Sequence, residues 1–193
     1  MKYLLLCIAL LTPVASYAGP FGLEMGMSID DLKKKINLVQ KDENIYSASS
    51  VPNPHPDFTI YSFLATPSHG LCRIRAIGKA IETSAYGTEL INEFNKLESV
   101  LNKKYGASMR LDLLNKGSIW NEPRDWMIGM LKKERTLASY WSEEQKALPD
   151  NIGAIKLDSV AISNSNGFIV LDYDFTNIKA CIKSQEAKGE SAL

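Results

Sequence analysis

The sequence predicts an α+β fold: an antiparallel sheet built from hairpins, with helices packed on one face. Three observations carry this. Apolar–polar alternation runs on both sides of two turn clusters, Pro67-Ser68-His69-Gly70 and Asn164-Ser165-Asn166-Gly167. A long segment, Thr88 to Tyr105, repeats its apolar residues at helical spacing. The order is hairpins separated by helices, not single strands alternating with helices, which disfavours a parallel sheet. With 193 residues, 45% of them apolar, the chain is long enough to bury a substantial core.

In chain order, Met1-Lys2 is a short basic start and Tyr3 to Leu11 an apolar run. Thr12-Pro13 breaks the run, and Ser16-Tyr17-Ala18 places small residues where a signal peptidase reads. Residues 1–18 are therefore expected to be a signal peptide cleaved near Ala18; the run is half the length of a membrane span. A single α+β domain is expected over 19–188, with a frayed tail at 189–193. Phe21 to Met25 alternates and predicts a short strand. Ser28 caps a helix with a carboxylate, Asp31, three positions on, and Ile29, Leu32 and Ile36 share its face. Lys33, Lys34 and Lys35 fall in the last turn, where cations suit the helix dipole.

Residues 38–50 carry weak strands, firmest at Ile45 and Tyr46. Pro52, Pro54 and Pro56 then impose a stiff extended loop. Phe58 to Ala65 and Leu71 to Lys79 form the first hairpin, with Cys72, Ile74 and Ala76 expected on one face and Arg73 and Arg75 on the other. In the helix 88–105, Leu90, Phe94, Leu97, Leu101 and Tyr105 make the inward stripe, and Gly106 ends it. Leu111 to Leu114 predicts a short strand, Asn121-Glu122-Pro123 a helix start, and Leu137 to Trp141 a strand. Ile155 to Ser163 and Phe168 to Phe175 form the second hairpin. A terminal helix spans Asn177 to about Ala187, with Ile178, Cys181 and Ile182 on one face.

Charge and cysteine counts narrow the function. The 22 basic and 22 acidic residues cancel, and loss of Lys2 with the signal leaves one excess acid. Nucleic-acid binding, which needs clustered cations, is disfavoured. Cys7 also leaves, so the three cysteines reduce to Cys72 and Cys181. In an oxidising compartment two remaining cysteines pair, here closing a loop of roughly 110 residues worth about 4–5 kcal/mol. The expected location is the periplasm, or outside the cell, with no transmembrane segment after cleavage.

Gly26-Met27-Ser28-Ile29-Asp30-Asp31-Leu32 resembles the Gly-Met-Ser/Thr-x-x-Glu/Asp-Leu/Val opening of small bacterial envelope domains, such as the BamE/SmpA-type lipoproteins and β-lactamase-inhibitor-like domains. The resemblance covers seven residues and implies a non-catalytic envelope role. The lipid-bearing cysteine of those lipoproteins is missing, and no site residue is carried over.

No catalytic set is legible. His55 and His69 are the only histidines, there is no GxSxG, and Ser68 beside His69 in sequence does not place a hydroxyl against the ring productively. His55, Asp57 and His69 are the only metal candidates, and a hairpin arm separates the two histidines, so no metal or cofactor is expected. Asp172 and Asp174 share a strand face, as an acid/base pair or a solvated face would. The stretch Ser118 to Met127 is the most unusual. Trp120, Glu122, Arg124, Asp125 and Trp126 combine the residue types enriched in binding hot spots, and Trp can stack on sugars. With the Pro-rich loop bearing His55, they are the candidate binding surface. The expectation is an exported, non-catalytic protein that binds a protein or envelope partner, of the inhibitor, immunity or assembly-accessory type. The alternative is an envelope hydrolase using Glu122 or Asp125 on cell-wall glycan.

Overall fold

The computed structural model describes residues 19–191, with backbone only from 187 onward. The expected signal peptide lies outside the described residues. The strands are β1 (Val39–Gln40), β2 (Ile45–Ala48), β3 (Phe58–Thr66), β4 (Gly70–Gly78), β5 (Ile81–Glu82), β6 (Met109–Leu114), β7 (Arg135–Ser142), β8 (Ile152–Ala161) and β9 (Asn166–Phe175). The helices are α1 (Ile29–Lys35), α2 (Thr88–Tyr105), α3 (Trp126–Leu131) and α4 (Ile178–Ser191). All nine strands join one sheet in the order β1-β2-β3-β4-β9-β8-β7-β6, with β5 on the end of β9. Every pairing is antiparallel. Two meanders, β1 to β4 and β6 to β9, therefore meet where β4 pairs with β9. α2 carries the chain between them.

The α+β class and the antiparallel sheet with helices packed against it are as expected. α2 keeps the predicted bounds and buries Leu90, Phe94, Leu97, Leu101 and Tyr105. These residues join Phe63, Ile74, Ile155, Leu157, Leu171 and Phe175 of the sheet in the main core. α1 is capped as read: the Ser28 Oγ accepts from the Asp31 amide at 3.1 Å.

Four local expectations change. Phe21 to Met25 is not a strand. Pro20 opens a 3-10 turn, Pro20–Gly22, in which Phe21 has a φ of 58°, outside any strand conformation. The Phe21 ring instead sits edge-on to Phe58, Tyr61 and Tyr173, at centroid distances of 6.0, 5.0 and 5.8 Å. β9 starts at Asn166, so Asn166-Gly167 belongs to the strand and not to the turn. A Cβ on Gly167 would stand 2.6 Å from the Val160 carbonyl and 2.7 Å from Leu90, so glycine is needed for α2 to approach the sheet here.

The third change concerns Cys72. Leu64 pairs with Arg73 and Ala65 with Leu71, so a bulge leaves Cys72 unpaired in the ladder. It turns away from Ile74 and Ala76 and packs with Leu64, Cys181, Ile45 and Ile178 in a small second cluster. The Cys72 and Cys181 sulfurs lie at disulfide distance, with Cα atoms 6.5 Å apart. This pair ties α4 over β3 and β4, on the face opposite α2, so the helices pack against the sheet but not all on the one face expected. Fourth, α4 continues to Ser191, past Ala187. Among the described residues no helix is long and apolar enough to cross a membrane.

Candidate functional site

The strand period places alternate residues of β4, β9, β8 and β7 away from the core, on the face that α2 and α3 leave open. Register then decides which of them meet. Arg73 lies opposite Asp174, Arg75 opposite Asp172, Lys156 opposite Asp172, and Tyr140 opposite Lys156. Arg75 donates from Nε at 2.7 Å and from Nη2 at 2.9 Å to the two oxygens of Asp172. Arg73 makes the same fork with Asp174, its Nη2 at 2.9 Å. Lys156 Nζ donates to Asp158 at 2.6 Å and stands 5.7 Å from the centre of the Tyr140 ring. The bidentate geometry is the strong form of the carboxylate–guanidinium contact.

This ladder floors a hollow of about 380 Å³ whose lining includes Arg73, Arg75, Tyr140, Lys156, Asp172 and Asp174. A neighbouring hollow of about 410 Å³ shares Tyr140 and Lys156 and adds Met130, Arg135 and Val160. On the ladder itself Arg73, Arg75 and Lys156 face Asp174, Asp172 and Asp158, and Lys133 and Arg135 in the neighbouring hollow add positive charge. Half-burial pulls the Lys156 ammonium down, but the hydrogen bond and charge of Asp158 outweigh it and hold the group above its ordinary value. The guanidinium of Arg75 is held up chiefly by its hydrogen bonds to Asp172. Asp172 and Asp174, read from sequence as a possible acid/base pair, each have both oxygens engaged by an arginine, and neither is free to approach a substrate. What sequence could not show is that two arginines and two aspartates at i, i+2 on separate strands would come into register.

The tryptophan-bearing segment is divided by the fold. Trp126 is buried in the main core against Gly87, the residue before α2, and Met130 is also buried. Trp120 is half-buried, its β-carbon 3.6 Å from the space over Gly129. Glu122 and Arg124 are exposed. Glu122 and Asp125 cap a 3-10 turn, Pro123–Asp125, that leads into α3, and the Glu122 amide donates to Asp125 Oδ2 at 3.3 Å. These residues line none of the described hollows together. Trp126 is thus a core residue, while Trp120, Glu122 and Arg124 lie at the surface of the cap.

His55 lies elsewhere, lining a hollow of about 320 Å³ with Phe21, Phe58, Lys104 and Tyr173. Its Nδ1 accepts from the Asp57 amide at 3.3 Å and lies 3.6 Å from the Asp57 carboxylate. His69 sits at the other end of the β3–β4 arm. Contrary to expectation, its Nδ1 is 2.8 Å from the Ser68 hydroxyl. The pair lies on an exposed turn, and among the described residues the other group hydrogen-bonded at the ring is Thr66 Oγ1 at 3.5 Å. Among the described residues no carboxylate orients the ring there, as a nucleophile–base system would need. Among the described residues no group of three or more His, Cys, Asp or Glu could hold a metal ion.

No family model, curated protein or solved structure matches this chain.

Proposed function

We propose that this is an exported, non-catalytic envelope protein that binds a macromolecular partner, and that it does so on the open sheet face around Tyr140 and Lys156. The observation that carries the reading is the Arg73/Arg75–Asp172/Asp174 ladder. It is a rigid, fully paired polar platform on a sheet, hollowed beside an aromatic ring and flanked by apolar side chains. Such a platform suits recognition, because its side chains are already ordered and lose little entropy on binding. The N-terminal segment read as a signal peptide and the paired cysteines support a periplasmic or secreted location. An inhibitor or immunity protein for a secreted enzyme, or an assembly accessory, fits the platform. The segment from Trp120 to Arg124 is a secondary contact surface in this reading.

The test compares capture of partners from periplasmic extract by the unaltered protein and by Tyr140→Ala and Lys156→Glu. Loss of a specific captured protein in both variants, at unchanged thermal stability, supports the reading. Turnover of peptidoglycan fragments with no protein captured reverses it in favour of the hydrolase.

A further inference from the structure

We propose that the outer edge of β6 is a self-association edge. Two copies of this chain pair β6 with β6, antiparallel about a two-fold axis, so that Leu111 faces Leu111 of the second copy. This rests on the edge itself and not on the partner-binding reading above.

Among the described residues β6 closes one end of the sheet and is paired only with β7. It is six residues long, against two for β1 at the other end. Natural edge strands are blunted by charge, lysine above all, by proline or by a bulge; β6 has no lysine, proline or bulge, and its two charges, Arg110 and Asp112, are of opposite sign. β6 reads Met-Arg-Leu-Asp-Leu-Leu, pairs with β7 without a register shift, and holds Met109 and Leu113 at 50% and 54% exposure.

Hydrogen-bond phase limits how a second strand can join. The Asn115 amide donates to the Glu134 carbonyl, one step beyond the pair Leu114–Arg135. In an antiparallel ladder bonded and non-bonded pairs alternate. The amides of Leu113, Leu111 and Met109 therefore point to β7, and those of Arg110, Asp112 and Leu114 point outward. A self-paired strand must set these outward residues against one another. Centring on Asp112 puts aspartate against aspartate, and centring on Arg110 puts arginine against arginine. Centring on Leu111 forms both backbone hydrogen bonds of each pair and sets each Arg110, whose Nη1 already donates to Glu98 and Asn95, with its remaining donors toward Asp112 of the other copy.

The same register sets Met109 against Leu113 and Leu111 against Leu111, covering the exposed apolar side chains. Asp112 is 48% exposed and its one ion-pair contact, Arg135, is at 3.5 Å, so it can take a second cation. Isologous closure of this kind stops at a dimer. A six-residue edge buries less than the ~1,200 Å² of a standard interface, so the dimer is concentration-dependent, with a dissociation constant on the order of micromolar.

The 193-residue chain is expressed and its soluble product examined by sedimentation velocity over about 5–500 µM. A monomer–dimer equilibrium is expected. Asp112→Lys, which sets lysine against Arg110 of the other copy, should shift it toward monomer by tenfold or more at an unchanged thermal midpoint, by about 1.4 kcal/mol or more. Leu111→Cys should form a covalent dimer under mild oxidation, since facing residues of a non-bonded pair have Cα atoms about 4.5 Å apart. Met109→Cys, whose mate is Leu113, should not. A monomer at every concentration, a trimer or larger species, a dimer indifferent to Asp112→Lys, or equal cross-linking by Met109→Cys would overturn the proposal. So would a monomer that adds only a foreign extended peptide at this edge.

Discussion

The indole of Trp126 occupies the space that a side chain at Gly87 would need. A Cβ at Gly87 would stand 2.9 Å from Cδ2 of Trp126 and closer still to Cε3. Gly87 also precedes α2 with a φ of 71°, in the left-handed region that favours glycine. One residue thus fixes both the start of α2 and the seat of α3's first side chain. Gly87→Ala should lower stability by about 2–4 kcal/mol, combining backbone strain with displacement of the ring. Trp126→Ala should cost a similar ~3–5 kcal/mol by leaving a cavity. Urea denaturation of the two variants and their double would show strong non-additivity, because both remove the same contact.

The accessible tryptophan should be Trp120. Trp126 and Trp141 are buried, and the Trp141 Nε1 donates to the Gly106 carbonyl at 2.8 Å. Acrylamide should quench a minority of the native fluorescence, and Trp120→Phe should abolish most of that quenching while leaving the thermal midpoint within experimental scatter.

Glu98 of α2 is buried beneath the β6–β7 edge and accepts from Ser139, Ser108 and Arg110, the Ser108 contact at 3.0 Å. Burial pushes its carboxyl up, but these hydrogen bonds and the Arg110 charge outweigh it and hold it below its ordinary 4.5. The folded-state value is depressed, so the unfolded chain binds the proton more readily. Its contribution is present above about pH 4.5 and is lost as pH falls through the lower folded value. Stability measured by denaturant titration should fall as pH drops below about 4.5, and Glu98→Gln should flatten that part of the profile. Glu98→Ala should cost about 2–3 kcal/mol at neutral pH, because three donors lose their acceptor.

Cys72 and Cys181 should give no free thiol when the unreduced protein is denatured and labelled. Reduction, or Cys72→Ala with Cys181→Ala, should cost about 2–5 kcal/mol. The loss should be local first: amide exchange should rise in α4 before it rises in β9, because α4 is held by the small cluster of Leu64, Ile45 and Ile178 and not by the main core.

Local chemistry wrote most elements openly. The capped start at Ser28, the 3–4 stripe of α2 and the two alternating hairpins were legible because each signal lies within a few neighbouring residues. Phe21 misled because its alternation is that of a strand, while its aromatic anchoring to Phe58, Tyr61 and Tyr173 depends on residues far along the chain. Asn166-Gly167 misled because it has the composition of a turn. Its glycine answers instead to Leu90 and to the short strand β5, which was not read from sequence.

By itself the sequence determined the class, the cysteine pair and the absence of a recognisable catalytic motif, since composition and period are properties of the chain. Only the tertiary structure decided the candidate surface. Trp126 went inward because Gly87, just before α2, leaves room for its ring. Arg73, Arg75, Asp172 and Asp174 became one platform because β4 and β9, distant in sequence, pair in a register that sets opposite charges side by side. Register between remote strands depends on the whole sheet closing over its core, and no local pattern encodes it.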